Sequence, residues 1–151
     1  MSLKIGDLIP EFTLKDIDNN DFYSRSLIGK QPFVMYFYPK DFTPGCTKEA
    51  CSFRDHYEEF KDLGAEVIGI SSDSEKMHEK FARNYKLPFI LLSDKKKTVR
   101  KLFGIPANLF GLLPGRETYV FDKNGKVVMV FNSMSAIKHI DKALDILKQL
   151  K

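Results

Sequence analysis

The six residues Phe33-Val34-Met35-Tyr36-Phe37-Tyr38 are all apolar or aromatic. A run this short, with no polar alternate face, reads as a strand buried on both sides, and such a strand lies inside a sheet covered by helices. Residues 66–71 and 89–92 repeat the pattern as a second and a third buried strand. Between the first two, Ala50, Phe53, Tyr57 and Phe60 recur at helical spacing that extends back to Cys46, with Gly64 placed to end the helix. Asp73 or Ser74 can cap a helix reaching to about Tyr85, and a basic helix is expected over 97–103. Residues 117–122 and 126–131 flank Lys123-Asn124-Gly125, a hairpin signal. A last helix over 136–150 carries Ile140, Leu144 and Leu147 on one face, and Phe12, Leu14, Ile17 and Phe22 suit a small leading hairpin. Alternating strands and helices that close in a hairpin predict an α/β fold with a central mixed β-sheet flanked by helices on both faces.

Size and charge narrow the function classes. The 151 residues suit a single domain, 1–151, and 43% hydrophobic with 29% charged residues reads as an ordinary globular protein. No apolar run is long enough to span a bilayer and no signal-type leader is evident, so a cytoplasmic protein without a membrane partner is expected. A net charge of +4 is modest. The basic stretch Lys95-Lys96-Lys97 with Arg100 and Lys101 reads as a solvated helix surface and not as a nucleic-acid patch. Leu109, Phe110, Leu112 and Leu113, in the irregular apolar segment 104–115, read as packing or as a contact surface.

The chain has two cysteines, Cys46 and Cys51, too few for a secreted disulfide scaffold. In a reducing compartment they are either inert core residues or redox and catalytic groups. Their surroundings favour the second reading. Thr43-Pro44 is a helix-start pair, with threonine suited to the N-cap and proline to the first helical position. Cys46 then falls in the first turn, where backbone N–H groups without helical partners and the helix dipole stabilise an anion. A thiolate populated near neutral pH is expected there. Gly45 leaves the approach to the sulfur open. Five helical residues place the two cysteine Cα atoms about 8.6 Å apart, beyond the ~7 Å that a disulfide tolerates. A Cys46–Cys51 bridge therefore requires the first turns to unwind. Zinc fits poorly, because Cys46, Cys51 and His56 advance about 140° at each step and cannot converge on one ion.

The stretch from Phe37 to Asp55 closely resembles the active-site segment of peroxiredoxins, and within them the peroxiredoxin Q or bacterioferritin-comigratory-protein group. The family pattern of proline, threonine and cysteine is met by Pro39, Thr43 and Cys46, and the subgroup's second cysteine by Cys51. Gly6-Asp7, Pro10, Phe12, residues 67–71, Leu92-Ser93-Asp94 and residues 115–122 extend the likeness over nearly the whole chain.

The resemblance implies a thioredoxin-like fold and thiol-dependent peroxidase activity, with Cys46 peroxidatic and Cys51 resolving through an intramolecular disulfide. Thr43 would hydrogen-bond the thiolate or peroxide as well as cap the helix. Arg116 would stabilise the sulfur, Pro39 would shield it, and Glu49 would orient the arginine, although Glu49 also fits an exposed helical position. The substrate would be hydrogen peroxide or an organic hydroperoxide, and the reductant thioredoxin or a similar dithiol protein. No metal, haem or flavin cofactor is implied, and a monomer or weak homodimer is expected. His56 and His78 are read as lying on polar helix faces without a role, and His139 as structural. A redox sensor using the same thiol is the rival reading, and sustained peroxide turnover would discriminate the two. A disulfide oxidoreductase fits less well, since that chemistry uses a C-x-x-C spacing.

Overall fold

A computed structural model describes residues 3–105, 107, 108, 113, 114, 116–133 and 135–150. The elements are β1 (Thr13–Lys15), β2 (Asp21–Tyr23), β3 (Phe33–Phe37), α1 (Pro44–Asp55), α2 (Tyr57–Asp62), β4 (Glu66–Ser71), α3 (Glu75–Tyr85), β5 (Ile90–Ser93), α4 (Thr98–Phe103), β6 (Ala107–Asn108), β7 (Leu113–Pro114), β8 (Glu117–Phe121), β9 (Val127–Asn132) and α5 (Ala136–Leu150). Seven strands form one sheet in the order β2-β1-β5-β4-β3-β8-β9. β3 pairs parallel with β4 and antiparallel with β8, so the sheet is mixed as the closing hairpin predicts. β6 and β7 pair separately. Leu109, Phe110 and Leu112, the side chain of Leu113 and the expectation attached to them lie outside the described residues.

The period of two in β3 sorts its side chains between two cores. Val34 and Tyr36, with Tyr38 just beyond, join Cys46, Ala50 and Phe53 of α1, Phe81 of α3 and Ile140, Ala143, Leu144 and Leu147 of α5. Phe33, Met35 and Phe37 face Val99 and Phe103 of α4, with Ile9 and Phe12 from the leading segment. Helices therefore cover both faces. Gly69 on β4 is required by close approach, since a Cβ there would lie 2.7 Å from the Tyr36 ring and 2.9 Å from Leu91.

Two local expectations, one continuous helix to Gly64 and a helical Lys95–Lys97, are corrected, and two others are met in detail. The helix expected to run on to Gly64 starts at Pro44, as the Thr43-Pro44 pair predicts, but is two helices broken at His56. There the Ser52 carbonyl meets both the His56 amide, at 3.1 Å, and the His56 ring Nδ1, at 2.8 Å, and the backbone leaves helical geometry. Of the two candidate caps for α3, Ser74 is the one used, its hydroxyl accepting from the Met77 amide. Lys95 to Lys97 are exposed but precede α4, whose first amides donate to the Asp94 carboxylate. The expected turn at Lys123-Asn124-Gly125 joins β8 to β9, and it is organised by Asp122, whose side chain accepts from the Asn124 and Lys126 amides. Among the described residues, no helix is long and apolar enough to cross a membrane.

Candidate active site

α1 begins where β3 leaves the sheet, beside the end of β4. Thr43 occupies the N-cap with extended backbone, and its carbonyl accepts from the Thr47 amide at 2.9 Å. Its hydroxyl does not cap the helix. It donates to the Lys40 carbonyl at 2.8 Å, correcting the sequence expectation, and its lone pairs stay free of the helix amides. Pro44 opens the helix and Pro39 is half-buried in the preceding loop. Cys46, Glu49, Ala50 and Phe53 form a buried stripe at helical spacing. The first-turn thiol thus belongs to the core. Cys51 falls off that stripe and is half-buried, and both thiols are free.

Arg116, immediately before β8, reaches this stripe from the strand beside β3. Its Nη2 donates to the Cys46 sulfur at 3.4 Å while Nη1 makes a short bond to Glu49 Oε1. Both Arg116 and Glu49 are buried, which removes the exposed-helix alternative for Glu49. Burial raises Glu49 to about 8, with Arg116 partly opposing the rise. Burial alone would lower Arg116, but the charges of Glu49 and Cys46 outweigh it and raise the guanidinium further. Gly45 matters for this geometry, because a Cβ there would lie 3.0 Å from Arg116 Nη2.

Behind Glu49 stands His139 of α5. Its Nε2 lies 2.6 Å from the Ser133 carbonyl, and its Nδ1 lies 2.7 Å from the Thr118 hydroxyl and 3.8 Å from Glu49 Oε2. A carbonyl only accepts, so Nε2 carries the proton and neutral Nδ1 accepts from Thr118. Burial lowers His139 to about 4, so the ring is neutral at pH 7.

Sequence reasoning missed two groups. Arg100 of α4, read as part of a solvated surface, is half-buried, donates to the Tyr38 carbonyl at 3.3 Å and lies over the Phe37 ring. Its charge interacts with Asp94, Glu117 and Cys46. His78, read as an exposed polar residue, is fully buried against Asp41 at 2.6 Å. The available signal was its position three and four residues before Phe81 and Ala82, on the apolar stripe of α3.

Comparison with known proteins gives the chain its family. Residues 5–130 match the AhpC/TSA family. The chain is 56% identical over 147 residues to the chloroplastic peroxiredoxin Q of Sedum lineare, covering 97% of this chain and 78% of that protein. Its structure superposes on the peroxidoxin BcpB of Mycobacterium tuberculosis with a TM-score of 0.91 at 39% identity, covering 99% of both chains. It superposes on the bacterioferritin comigratory protein of Xanthomonas campestris, described for alkyl peroxide reduction, with a TM-score of 0.87 at 31% identity, covering 98% of this chain and 97% of that one.

The fold and the first-turn thiol define a thioredoxin-fold, thiol-dependent peroxidase. The chain belongs to the AhpC/TSA family, and within it is similar to the peroxiredoxin Q proteins. The cytoplasmic expectation is overturned, because the plant relatives at 53–56% identity are chloroplastic by name and point to a plastid. That expectation rested on cysteine usage and the lack of an apolar leader. Neither property separates one reducing compartment from another.

Proposed function

We propose that the chain, acting as one domain, reduces a hydroperoxide at Cys46, resolves the product with Cys51 and is recycled by a thioredoxin-type dithiol. The observation that carries this reading is the contact of Arg116 Nη2 with the Cys46 sulfur, the other arm of the guanidinium being fixed by Glu49. A preorganised cation at the sulfur stabilises the thiolate and the negative charge that spreads over sulfur and oxygen as the peroxide bond breaks. The sulfur lone pair attacks the terminal peroxide oxygen, the O–O bond breaks, and the departing oxygen takes a proton to leave as water or an alcohol. Cys46 becomes a sulfenic acid. The Thr43 hydroxyl, which gives its own proton to Lys40, retains lone pairs that can accept the peroxide proton. Pro39, half-buried in the loop before α1, shields the sulfur from water.

Cys51 then attacks the Cys46 sulfur, forming the disulfide and expelling water. Since α1 is intact with both thiols free, this step requires its first turns to unwind. Exchange with an external dithiol restores both cysteines.

The test mixes reduced protein with one equivalent of hydrogen peroxide and follows thiols and intact mass. The expected result is rapid loss of both thiols with a mass decrease of about 2 Da. Cys51→Ser should lose its single remaining thiol at an unchanged rate and gain about 16 Da as the sulfenic acid. Cys46→Ser should be inert. Thiol loss no faster than that of an unactivated cysteine would overturn the reading.

A further inference from the structure

We propose that Asp41 and His78 form a buried latch that pins the Cys46 loop to α3 and sets its balance between a folded, peroxide-reactive form and an unwound, disulfide-forming one. The second half of this proposal rests on the reading of Cys51 given above.

Asp41 lies in the loop between β3 and α1, five residues before Cys46. Its Oδ2 lies 2.6 Å from His78 Nδ1, and its Oδ1 accepts from the Tyr38 hydroxyl at 2.6 Å. His78 Nε2 lies 3.0 Å from the Leu92 carbonyl on β5. That carbonyl only accepts, so Nε2 carries a proton. One further proton must then lie between Nδ1 and Oδ2, whichever group owns it. The Asp41 amide donates to Asp73, which also accepts from Ser71 at the end of β4. One loop residue is therefore tied to α3, to β5 through the ring, and to β4 through Asp73.

Asp41, Asp73 and His78 could be read as cation ligands, since their donor atoms lie within 4.8 Å of one another. The 2.6 Å contact argues against that. Two ligand atoms sharing a tetrahedral ion at about 2.1 Å stand more than 3 Å apart, whereas 2.6 Å is a strong hydrogen bond. Nor are Asp41 and His78 catalytic, because the hydrogen bonds described for them run to each other, Tyr38, Asp73 and Leu92 and not to the Cys46 sulfur. They are positioning residues.

The residue after Asp41 gives the latch something to hold. Phe42 has a φ of 66°, a left-handed conformation that is sterically costly for a large side chain. It is held there with its ring edge-on to Phe81 of α3, centroids 5.1 Å apart, and half-exposed. Asp41 upstream and Pro44 downstream bracket the strained residue. With the latch closed, Thr43 and Cys46 are presented in place. With it open, Phe42 can relax to an ordinary backbone angle and carry the start of α1 away. The strain thus favours the unwound form that the Cys51 step needs, and the latch opposes it.

The test uses reduced full-length protein and the variants His78→Leu, Asp41→Ala and Asp41→Asn. His78→Leu removes the partner of a buried acid. Asp41→Ala opens the latch without leaving a buried carboxylate and serves if His78→Leu does not fold. Asp41→Asn keeps the geometry, its amide oxygen accepting from Tyr38 and its amide nitrogen donating to Nδ1. Two measurements are made: amide hydrogen exchange over residues 40–47, and quench-flow rates of Cys46 oxidation and of disulfide closure. In either opening variant, exchange over 40–47 should rise at least about tenfold, the scale of a lost buried hydrogen bond. The β3 and β8 amides should not change. Cys46 oxidation should slow by a similar factor while closure accelerates, and Asp41→Asn should stay near the wild type. A purely structural role would not move the two rates in opposite directions. Unchanged exchange in the opening variants, or both rates falling together, would overturn the latch. A wild type that closes no disulfide would sink the Cys51 reading instead, and exchange with the oxidation rate would still judge the latch.

Discussion

Arg116→Met is the most informative perturbation of the sulfur. It removes the guanidinium and keeps a similar apolar stem. The lost contact is Nη2 to sulfur at 3.4 Å. Coulomb's law at an effective dielectric near 20 gives about 5 kcal/mol for unit charges at that distance, an upper bound. A hydrogen bond to a charged group is worth about 1.5–3 kcal/mol net. A loss of about 3 kcal/mol in transition-state stabilisation corresponds to roughly 150-fold in the second-order rate of thiol oxidation. The fold should suffer less than for an ordinary buried ion pair. Glu49 is already raised to about 8 by burial, with Arg116 holding it down. Without Arg116 it rises further and keeps a proton at pH 7, so no bare charge is stranded. Stopped-flow oxidation with hydrogen peroxide and a thermal melt on the same sample separate the two effects. A rate within about fivefold of the wild type would refute the assignment of Arg116 to the sulfur, far short of the loss expected. A collapse in thermal stability would refute the argument about Glu49.

Gly69→Ala should cost about 1–3 kcal/mol of stability, read as a lower urea midpoint. The new Cβ meets Tyr36 at 2.7 Å, and that ring is stacked on Phe53 and Tyr38 and has little room to yield; an unchanged midpoint would show that the strands part without cost. The pH dependence of stability should carry two opposed contributions. Between about 4.5 and 8 the folded chain retains a Glu49 proton that the unfolded chain has released, so this contribution is full below 4.5 and is lost as pH rises to about 8. His139 runs the other way, its contribution being present above 6.5 and lost as pH falls to about 4. Urea unfolding of wild type, Glu49→Gln and His139→Gln from pH 4 to 9 should give difference curves of opposite slope, and flat differences would contradict the assignments.

What was legible in the sequence follows from how local each cause is. β3 was legible because five successive buried side chains need no knowledge of their partners. The helix start at Thr43-Pro44 was legible because the cap and first-turn positions are fixed by neighbours in the chain. The break at His56 was not, since it depends on one ring competing for the Ser52 carbonyl inside an otherwise regular apolar period. Arg116 and Glu49 are separated by 67 residues, and only the resemblance connected them. His78 and Asp41 are 37 residues apart, and a histidine on a charged helix reads as surface until the neighbouring β5 carbonyl and the loop carboxylate are placed against it.

The burial of Cys46 explains why these long-range groups matter. Cys46 shares its stripe with Ala50 and Phe53, so the reacting sulfur is packed as a core residue. Unwinding α1 far enough to bring Cys46 to Cys51 therefore withdraws a buried side chain from the core and takes the sulfur from Arg116. In the proposed cycle, peroxide reactivity and disulfide closure would make opposite demands on the same turn of helix. Contacts that improve the first step, such as Arg116 on the sulfur and Asp41 on His78, slow the second unless something offsets them. On the latch proposal, the left-handed Phe42 held within that loop would be such an offset. A chain with a relaxed residue there and the same latch would oxidise as fast but close its disulfide more slowly, which makes the backbone angle at position 42 part of the chemistry at position 46.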